Sequence, residues 1–236
     1  HIRLSYSSTE NVQSVDEIKH PIVRESLKLV GLDIPMDIAT MADVPAGNGL
    51  GSSGTFSVAL LHALHLVKGE EVGPEQLASE AAQVEIYKLD RPIGKQDQYA
   101  AAYGGLNVIN FHTDGEVKVE RFGNSESVAS ELFPNLLLLH TGMSRDAGEV
   151  LKDQRENSAV MKETLQDIRG HAHKVRALFE TGIRARTLGE IMHESWMRKR
   201  ELSPKVSTEQ IDRWYETAMC AGALGGKVCG AGGGGF

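Results

Sequence analysis

The sequence predicts an α+β fold in two domains, and three observations support that prediction. The chain has 236 residues, of which 41% are apolar, enough to fill the core of one large or two modest domains. Patterns typical of strands and of helices both occur, but they do not alternate as in a parallel βαβ sheet. A predicted hairpin over 106–122 is followed by a stretch of largely helical composition. We therefore expect a first domain at 1–130 and a second at 131–236.

The first domain contains clear element signals. Ser14 and Glu17 have the spacing of a capping box, and Pro21 is expected to open a helix that ends near Gly31. Apolar periodicity and turn residues predict the remaining elements. Strands are expected at 2–6 and 34–40, helices at 55–67, at 74–89 and from 94 to 103, and a hairpin with strands at 106–111 and 117–122 around Asp114-Gly115.

The second domain is predicted to be mostly helical. Leu136 to Leu139 form the longest purely apolar run, which is typical of a buried strand over 136–141. The other predicted features are helical composition over 147–202 with interruptions near Gly170 and Gly182, a capping box of Ser207 and Gln210 that starts another helix, and a strand at 225–230.

Composition excludes several classes of function. The net charge is −7 and no block of Lys or Arg occurs, so neither a nucleic acid nor an anionic membrane is an expected partner. Cys220 and Cys229 lack CxxC spacing, and no apolar run approaches the roughly 20 residues of a membrane span. We expect a cytoplasmic protein, and because the chain starts inside a strand pattern and stops after a glycine run, we expect a fragment.

The strongest local motif is Gly49-Leu-Gly-Ser-Ser-Gly54, which lies between a predicted strand and a predicted helix. Glycines let backbone N–H groups approach an anion, and a helix N-terminus adds free donors and the positive end of a dipole. Ser52 and Ser53 add hydroxyls that can donate to phosphate or bind Mg²⁺. The motif indicates a phosphate site, although an ordinary glycine turn capped by serine remains an alternative.

The same motif satisfies G-x-G-x-x-G, so a dinucleotide-binding oxidoreductase is the main rival interpretation. That fold requires an acidic residue about 20 positions later, at the end of a second parallel strand. Glu70 and Glu71 instead fall in a turn between two predicted helices. A Walker A loop is excluded because no Lys followed by Ser or Thr closes the glycine loop.

Three segments resemble motifs of the galactokinase, homoserine kinase, mevalonate kinase and phosphomevalonate kinase (GHMP) family. Pro45-Ala-Gly-Asn-Gly-Leu-Gly-Ser-Ser-Gly54 resembles its second motif, and Lys227-Val-Cys-Gly-Ala-Gly-Gly-Gly-Gly235 its third. Gly94-Lys-Gln-Asp-Gln-Tyr-Ala-Ala-Ala-Tyr-Gly-Gly105 resembles the segment that carries the catalytic aspartate in sugar kinases of the family. The resemblance implies an N-terminal domain like domain 2 of ribosomal protein S5 and a ferredoxin-like C-terminal domain, both incomplete here.

The resemblance implies an ATP-dependent sugar kinase and a set of site residues. Asp97 would be the catalytic base, and Lys95 close to it would lower its pKa or contact a phosphate. Ser53 and Glu85 would bind Mg²⁺. The residues expected to bind ATP are Pro45, Gly47, Gly49, Leu50, Gly51, Ser52, Ser53 and Gly54. Those expected to bind the sugar are Gln96, Arg145, Gly230, Ala231, Gly232 and Gly233. The planar guanidinium of Arg145 suits an anionic substrate, but it equally suits a surface salt bridge.

Within the family the chain most resembles the D-glycero-D-manno-heptose 7-phosphate kinases, through Arg3-Leu-Ser-Tyr6, the segment 94–105 and Gly222-Ala-Leu-Gly-Gly-Lys227. The implied reaction is phosphorylation of the anomeric hydroxyl of a sugar phosphate. L-Fucose kinases are an alternative, and a catalytically dead binding module is a further one. The family's first motif would lie before His1, so we expect this segment alone to be poorly stable and weakly active; its oligomeric state stays open.

Overall fold

The computed structural model describes residues 1–44, 47–122, 125–143, 147–182 and 184–236. Helices predominate and the strands are short, so the predicted α+β class is confirmed. The chain divides into two compact units. The first contains the described residues of His1–Ala46 and Gly51–Ile109, and the second those of Gly47–Leu50 and Asn110–Phe236. The predicted domain boundary near residue 130 stays a prediction.

A three-stranded sheet opens the first unit, in the order β2 (Thr9–Val12), β1 (Ile2–Ser5) and β3 (Met36–Ala39). β1 is antiparallel to β2 and parallel to β3, and Ile2 lies opposite Val12 on one side and Met36 on the other. Ile2 and Leu4 are buried while Arg3 between them is exposed, the alternation expected for a strand with one face on the core. Both strand predictions are therefore confirmed.

Helices cover the core of the first unit. They are α1 (Pro21–Val30), α2 (Ser52–Lys68), α3 (Pro74–Ala82) and α4 (Gln96–Tyr103), with a short 3₁₀ turn at Val15–Glu17 before them. α1 begins at Pro21 and ends at Gly31, whose φ of 76° lies in the left-handed region that closes a helix. Leu27 of α1 and Leu61 of α2 are completely buried in one apolar cluster with β1.

α3 does not run as an α-helix to residue 89. It passes at Ala82 into a π-helix over Gln83–Lys88. A π-turn inserts an extra residue into the helical ladder and is frequently found at functional sites. In this chain the π-helix carries Glu85, whose side chain is completely buried.

The second unit contains β5 and a series of helices. A hairpin of β4 (Asn107–Phe111) and β5 (Val117–Arg121) lies where the chain passes from the first unit to the second. The helices are α5 (Ser125–Leu132), α6 (Ala147–Asn157), α7 (Lys162–Thr181), α8 (Ala185–Glu201) and α9 (Glu209–Cys220). Val150, Trp196 and Val206 form the centre of a second apolar cluster. Across the described ranges, no helix combines the length and the hydropathy that crossing a bilayer requires.

Several sequence predictions for the second unit are wrong. Leu136 to Leu139 do not form a buried strand, since Leu137 is 87% exposed and no described strand pairs with the run. Residues 225–230 are likewise not a strand. α7 runs through Gly170 without a break. An isolated glycine costs only about 1 kcal/mol in a helix, which packing of α7 along α8 outweighs.

Two helix starts also differ from the predicted capping boxes. Thr208, not Ser207, caps α9, and its hydroxyl accepts a hydrogen bond from the Ile211 N–H at 3.3 Å. Ser207 donates instead to Asp212. At the first predicted box, Ser14 donates to the Glu17 carboxylate at 3.2 Å but opens only a 3₁₀ turn.

A buried histidine joins α2 to α3. His65 Nδ1 lies 2.7 Å from the Glu70 carboxylate and His65 Nε2 lies 2.7 Å from the Glu80 carboxylate. Burial opposes protonation of the ring, but the hydrogen bonds to Glu80 and Glu70 raise the pKa of His65 above its ordinary value of 6.5. The imidazolium thus bridges two carboxylates.

We expect this bridge to make stability depend on pH. Because the folded pKa of His65 is raised, its contribution is fully present below about pH 6.5 and is lost as pH rises through the folded pKa. His65→Gln should therefore lower the melting temperature most near pH 6, by the equivalent of about 1–3 kcal/mol, and progressively less at alkaline pH. Melting curves of both proteins from pH 5.5 to 9 test this; a pH-independent difference would contradict it. His62→Gln, an exposed change on the same helix, is the control.

Candidate active site

The N-terminus of α2 and the π-helix bring a hydroxyl and a carboxylate together in the first unit. Ser53 is the second residue of α2, and its hydroxyl donates to Glu85 Oε2. Gly51 precedes the helix with φ 70°, so the chain turns sharply into α2 where glycine tolerates the left-handed conformation. The contact joins residues 32 positions apart in the sequence.

Arg91 and Gln98 complete the surroundings of Glu85. Arg91 Nη1 donates to Glu85 Oε2 at 3.0 Å and to Ser53 Oγ at 2.7 Å. Gln98 Nε2 donates to the other oxygen, Glu85 Oε1, at 2.9 Å. A buried carboxylate is tolerated when its charge is compensated and its oxygens are hydrogen-bonded, and these partners supply both. The Glu85 carboxylate is therefore held in one position.

Asp97 lies beside this cluster, in the first turn of α4. Two glycines make room for it: a Cβ atom on Gly51 would lie 3.4 Å from Asp97 Cγ, and one on Gly54 would lie 3.0 Å from Asp97 Cβ. Asp97 keeps an exposed face. Partial desolvation and, second, the negative charge of Glu85 raise the pKa of Asp97 above 3.8. The arrangement gives one buried carboxylate and one accessible carboxylate of increased basicity.

Ser53 and Glu85 offer hard oxygen ligands, the donor type that Mg²⁺ prefers. In the described part of the chain, no group of three or more His, Cys, Asp or Glu side chains is placed to hold a metal. A divalent cation at Ser53 and Glu85 would thus take its other ligands from phosphate and water, as Mg²⁺ does in nucleotide enzymes. The donor types fit such a cation, which would compete with Arg91 Nη1 for Ser53 Oγ and Glu85 Oε2.

In the second unit, the beginning of the glycine motif, at Gly49, packs against the glycine run that starts at Gly230. A Cβ atom on Gly49 would lie 2.7 Å from the Cys229 carbonyl oxygen, and one on Gly230 would lie 2.7 Å from Gly49 Cα. Phe236 N donates to the Asn48 carbonyl at 3.3 Å. Only glycines allow the two backbones to come this close.

We expect Gly49→Ala to destabilise the second unit. Gly49 has φ 75°, where a side chain costs about 1–2 kcal/mol, and its Cβ would in addition collide with Cys229. Gly73→Ala is the matched control, because Gly73 has φ −82° and nothing lies within 4 Å of its Cβ position. Thermal melts should show a loss in the first variant and little change in the second; equal melting temperatures would contradict the packing described.

The other predicted site residues are distributed as follows. Lys95 is the N-cap residue of α4, and Gln96 is the exposed first residue of that helix. Ser52 opens α2, whereas Gly47 and Leu50 belong to the second unit with Gly49. Ala231, Gly232 and Gly233 are buried in the glycine run of the second unit. Pro45 and Arg145 lie outside the described residues.

Sequence reasoning missed Arg91 and Gln98. Arg91 lies outside the three quoted motifs and reaches Ser53 across 38 positions of sequence. Gln98 carried a usable signal, since it follows Asp97 directly within the quoted segment 94–105; the structure shows that its side chain is completely buried. The structure does not support the rival dinucleotide interpretation, which requires an acidic residue at the end of a second parallel strand. Glu70 instead follows α2 and pairs with His65 and Lys68.

Comparison with known proteins places these features in a family context. Residues 18–105 match the model of the GHMP kinases N terminal domain, and residues 175–236 match that of the GHMP kinases C terminal domain. The chain is 33% identical to D-glycero-alpha-D-manno-heptose 7-phosphate kinase of Campylobacter jejuni over 86% of its own length and 60% of that protein. It is 28% identical to a mevalonate kinase of Methanothermobacter thermautotrophicus over 85% of its own length and 63% of that protein.

A solved structure supports the fold. The crystal structure of a D-glycero-D-manno-heptose 1-phosphate kinase from Bacteroides thetaiotaomicron superimposes with a TM-score of 0.76 at 23% identity, covering 98% of this chain and 70% of that chain. The present chain spans about three fifths of the length of the two curated relatives above. The two domain models follow each other in the expected order and together match well over half of the 236 residues. The chain belongs to the GHMP kinase family.

Proposed function

We propose that the protein is an ATP-dependent kinase that transfers the γ-phosphate to a hydroxyl of a phosphorylated sugar. The observation that supports this most is the cluster of Ser53, Glu85 and Asp97 at the N-terminus of α2. It combines a helix N-terminus suited to phosphate, two hard oxygen ligands and an accessible carboxylate. Those are the protein groups that phosphoryl transfer needs for positioning, charge neutralisation and proton removal.

Asp97 is the proposed base. As the sugar hydroxyl oxygen bonds to the γ-phosphorus, the bond from that phosphorus to the bridging oxygen of ADP breaks, and the hydroxyl proton passes to an Asp97 carboxylate oxygen. A base accepts a proton better when its pKa is raised towards the working pH, which desolvation and Glu85 both favour here. Gly51 and Gly54 position the carboxylate by allowing α4 to lie against α2.

Ser53 and Glu85 are the proposed protein ligands of Mg²⁺. The ion, when bound, would neutralise the charge that develops on the phosphates. Arg91 and Gln98 would keep the Glu85 carboxylate in one orientation. The free backbone N–H groups at the start of α2 and the hydroxyl of Ser52 would bind phosphate oxygens, so that ATP is held without a Walker A lysine.

D-glycero-D-manno-heptose 7-phosphate is the proposed acceptor, phosphorylated at its anomeric hydroxyl. The relative at 33% identity carries that substrate in its name, and the sequence motifs resemble the same group. L-Fucose is a second candidate, from the sequence resemblance. Mevalonate is a third, from the relative named mevalonate kinase. A small-molecule substrate and a cytoplasmic location, with Cys220 and Cys229 as free thiols, complete the proposal.

Release of ADP from Mg-ATP tests the proposal with a panel of acceptors. The intact protein is assayed with heptose 7-phosphate, the unphosphorylated heptose, L-fucose and mevalonate, at equal concentrations. The proposal predicts the highest kcat/KM for the heptose phosphate and no turnover when Mg²⁺ is chelated. Preference for L-fucose or mevalonate would replace the acceptor, and absence of turnover with every acceptor would reject the kinase.

A further inference from the structure

Three successive cations, Arg198, Lys199 and Arg200, lie in the last turn of α8. Lys199 differs from the two arginines in its partner. Arg198 Nε lies 3.0 Å from Asp167 Oδ2, and Arg200 Nη2 lies 3.2 Å from Asp212 Oδ2. Lys199 has no carboxylate oxygen within 4 Å among the described residues. Its ammonium donates instead to the carbonyl oxygen of Gly230, the first residue of the C-terminal glycine run. This cation is therefore directed at the glycine run rather than at an acidic side chain.

Lys227 brings a second positive charge to the same place. It is exposed, and within the ranges that the structure covers no carboxylate lies within 4 Å of its ammonium. Burial and, second, the charge of Lys227 lower the pKa of Lys199 to about 8, while Cys229 acts in the opposite direction. Two neighbouring ammonium groups repel each other, and an anion of charge −2 removes that repulsion.

The glycine run beside the two lysines supplies further donors. Residues 231–234 are buried, and their backbone N–H groups have no acceptor among the described residues. Three glycines of the run have positive φ: 60° at Gly230, 101° at Gly232 and 72° at Gly233. Residues other than glycine rarely adopt this conformation, which sets the directions of the N–H groups along the run. Buried N–H groups are nearly always satisfied, and consecutive ones in such a path form an anion-binding concavity.

We propose that Lys199 and Lys227, with the N–H groups of residues 231–234, bind the phosphate that the sugar substrate already carries. The inference rests on the proposed kinase function and deepens it, because it assigns the residues that bind the phosphate of the acceptor. A phosphate monoester carries about −1.5 to −2 charges at pH 7 and three acceptor oxygens, which two ammonium groups and a set of N–H groups complement. Lysine binds phosphate as a compact point charge.

The test combines binding and kinetics on the intact protein, with the variants Lys199→Gln, Lys227→Gln and the double variant. Titration calorimetry measures the Kd of heptose 7-phosphate without nucleotide, and steady-state assays measure KM for heptose 7-phosphate and for ATP. We expect each single change to raise Kd and KM for the sugar phosphate about tenfold, and the double change about a hundredfold. The kcat and the KM for ATP should stay within about threefold.

A matched control and a folding check keep the outcome interpretable. Lys174→Gln removes another exposed lysine of the second unit, one that pairs with Glu194 at 3.4 Å, and should leave both KM values unchanged. Lys227 is exposed, so its single variant is expected to fold even if changes at Lys199 disturb the glycine run. Melting curves of all variants verify this.

Three results overturn the inference. They are an unchanged Kd for heptose 7-phosphate in a folded double variant, an equal loss of affinity in Lys174→Gln, and a rise in the KM for ATP alone, which would assign the lysines to nucleotide phosphate. Failure of the kinase function is distinguishable: wild-type protein that binds the sugar phosphate through the lysines but releases no ADP keeps the site and rejects the reaction.

Discussion

Asp97→Asn is expected to lower kcat by about 10²- to 10⁴-fold, the usual contribution of a general base, while KM for ATP changes little. The substitution keeps the shape of a side chain whose Cβ packs against Gly54, so it removes basicity without displacing α4. ADP release at saturating ATP and sugar phosphate measures the effect. Asp33→Asn, an exposed change in the same unit, is the control and should retain full activity.

The pH profile gives the same prediction a second readout. Asp97 accepts a proton only when it is ionised, so kcat of the wild type should fall as pH drops through its raised pKa, which lies above 3.8. The acid limb should disappear in the residual activity of Asp97→Asn. A variant with wild-type kcat, or with an unchanged acid limb, would remove Asp97 from the proposed role.

Glu85→Gln should produce the other large effect, on dependence on Mg²⁺. Glu85 is completely buried, and its two oxygens accept from Ser53, Arg91 and Gln98. A neutral amide is a weaker ligand for a hard cation, so we expect the Mg²⁺ concentration for half-maximal activity to rise at least about tenfold. The variant should also lose about 1–3 kcal/mol of stability, because Arg91 loses its charged partner.

Glu75→Gln separates the metal effect from a general loss of hydrogen bonding. Glu75 accepts from Tyr99 at 3.0 Å and from Tyr103 at 2.9 Å, but it is not a proposed ligand. The Glu75→Gln variant should be less stable than the wild type but should need the same Mg²⁺ concentration for activity. The Mg²⁺-dependent shift of the melting temperature in the presence of ATP provides a readout without turnover. If both variants need the same Mg²⁺ concentration as the wild type, Glu85 is not a ligand.

Local signals in the sequence were sufficient for much of the first unit. Pro21 and Gly31 mark both ends of α1 because each requires a particular backbone conformation, and that requirement can be read from a single residue. The glycine motif likewise predicted that a helix follows it, although α2 begins at Ser52 rather than at residue 55. Asp97 and Glu85 came from a resemblance, and the structure adds the glycines at the start of α2 that lie against Asp97 and the π-helix that carries Glu85.

Features that depend on distant partners were not predictable. Periodicity identifies Leu136 to Leu139 as apolar but cannot say whether a neighbouring strand pairs with them. Arg91 lies in a turn after the π-helix, and its importance follows only from its contact with Glu85 and Ser53. The sequence alone does not distinguish Lys199 from Arg198 and Arg200, whereas the structure shows that only the two arginines pair with carboxylates among the described residues.

The most direct test of the central claim is identification of the product by ³¹P NMR after incubation with Mg-ATP and heptose 7-phosphate. The account predicts ADP together with a second phosphate resonance on the sugar, at the anomeric oxygen, formed by the wild type and almost absent with Asp97→Asn. Free phosphate and ADP without a doubly phosphorylated sugar, or equal product from both proteins, would contradict it.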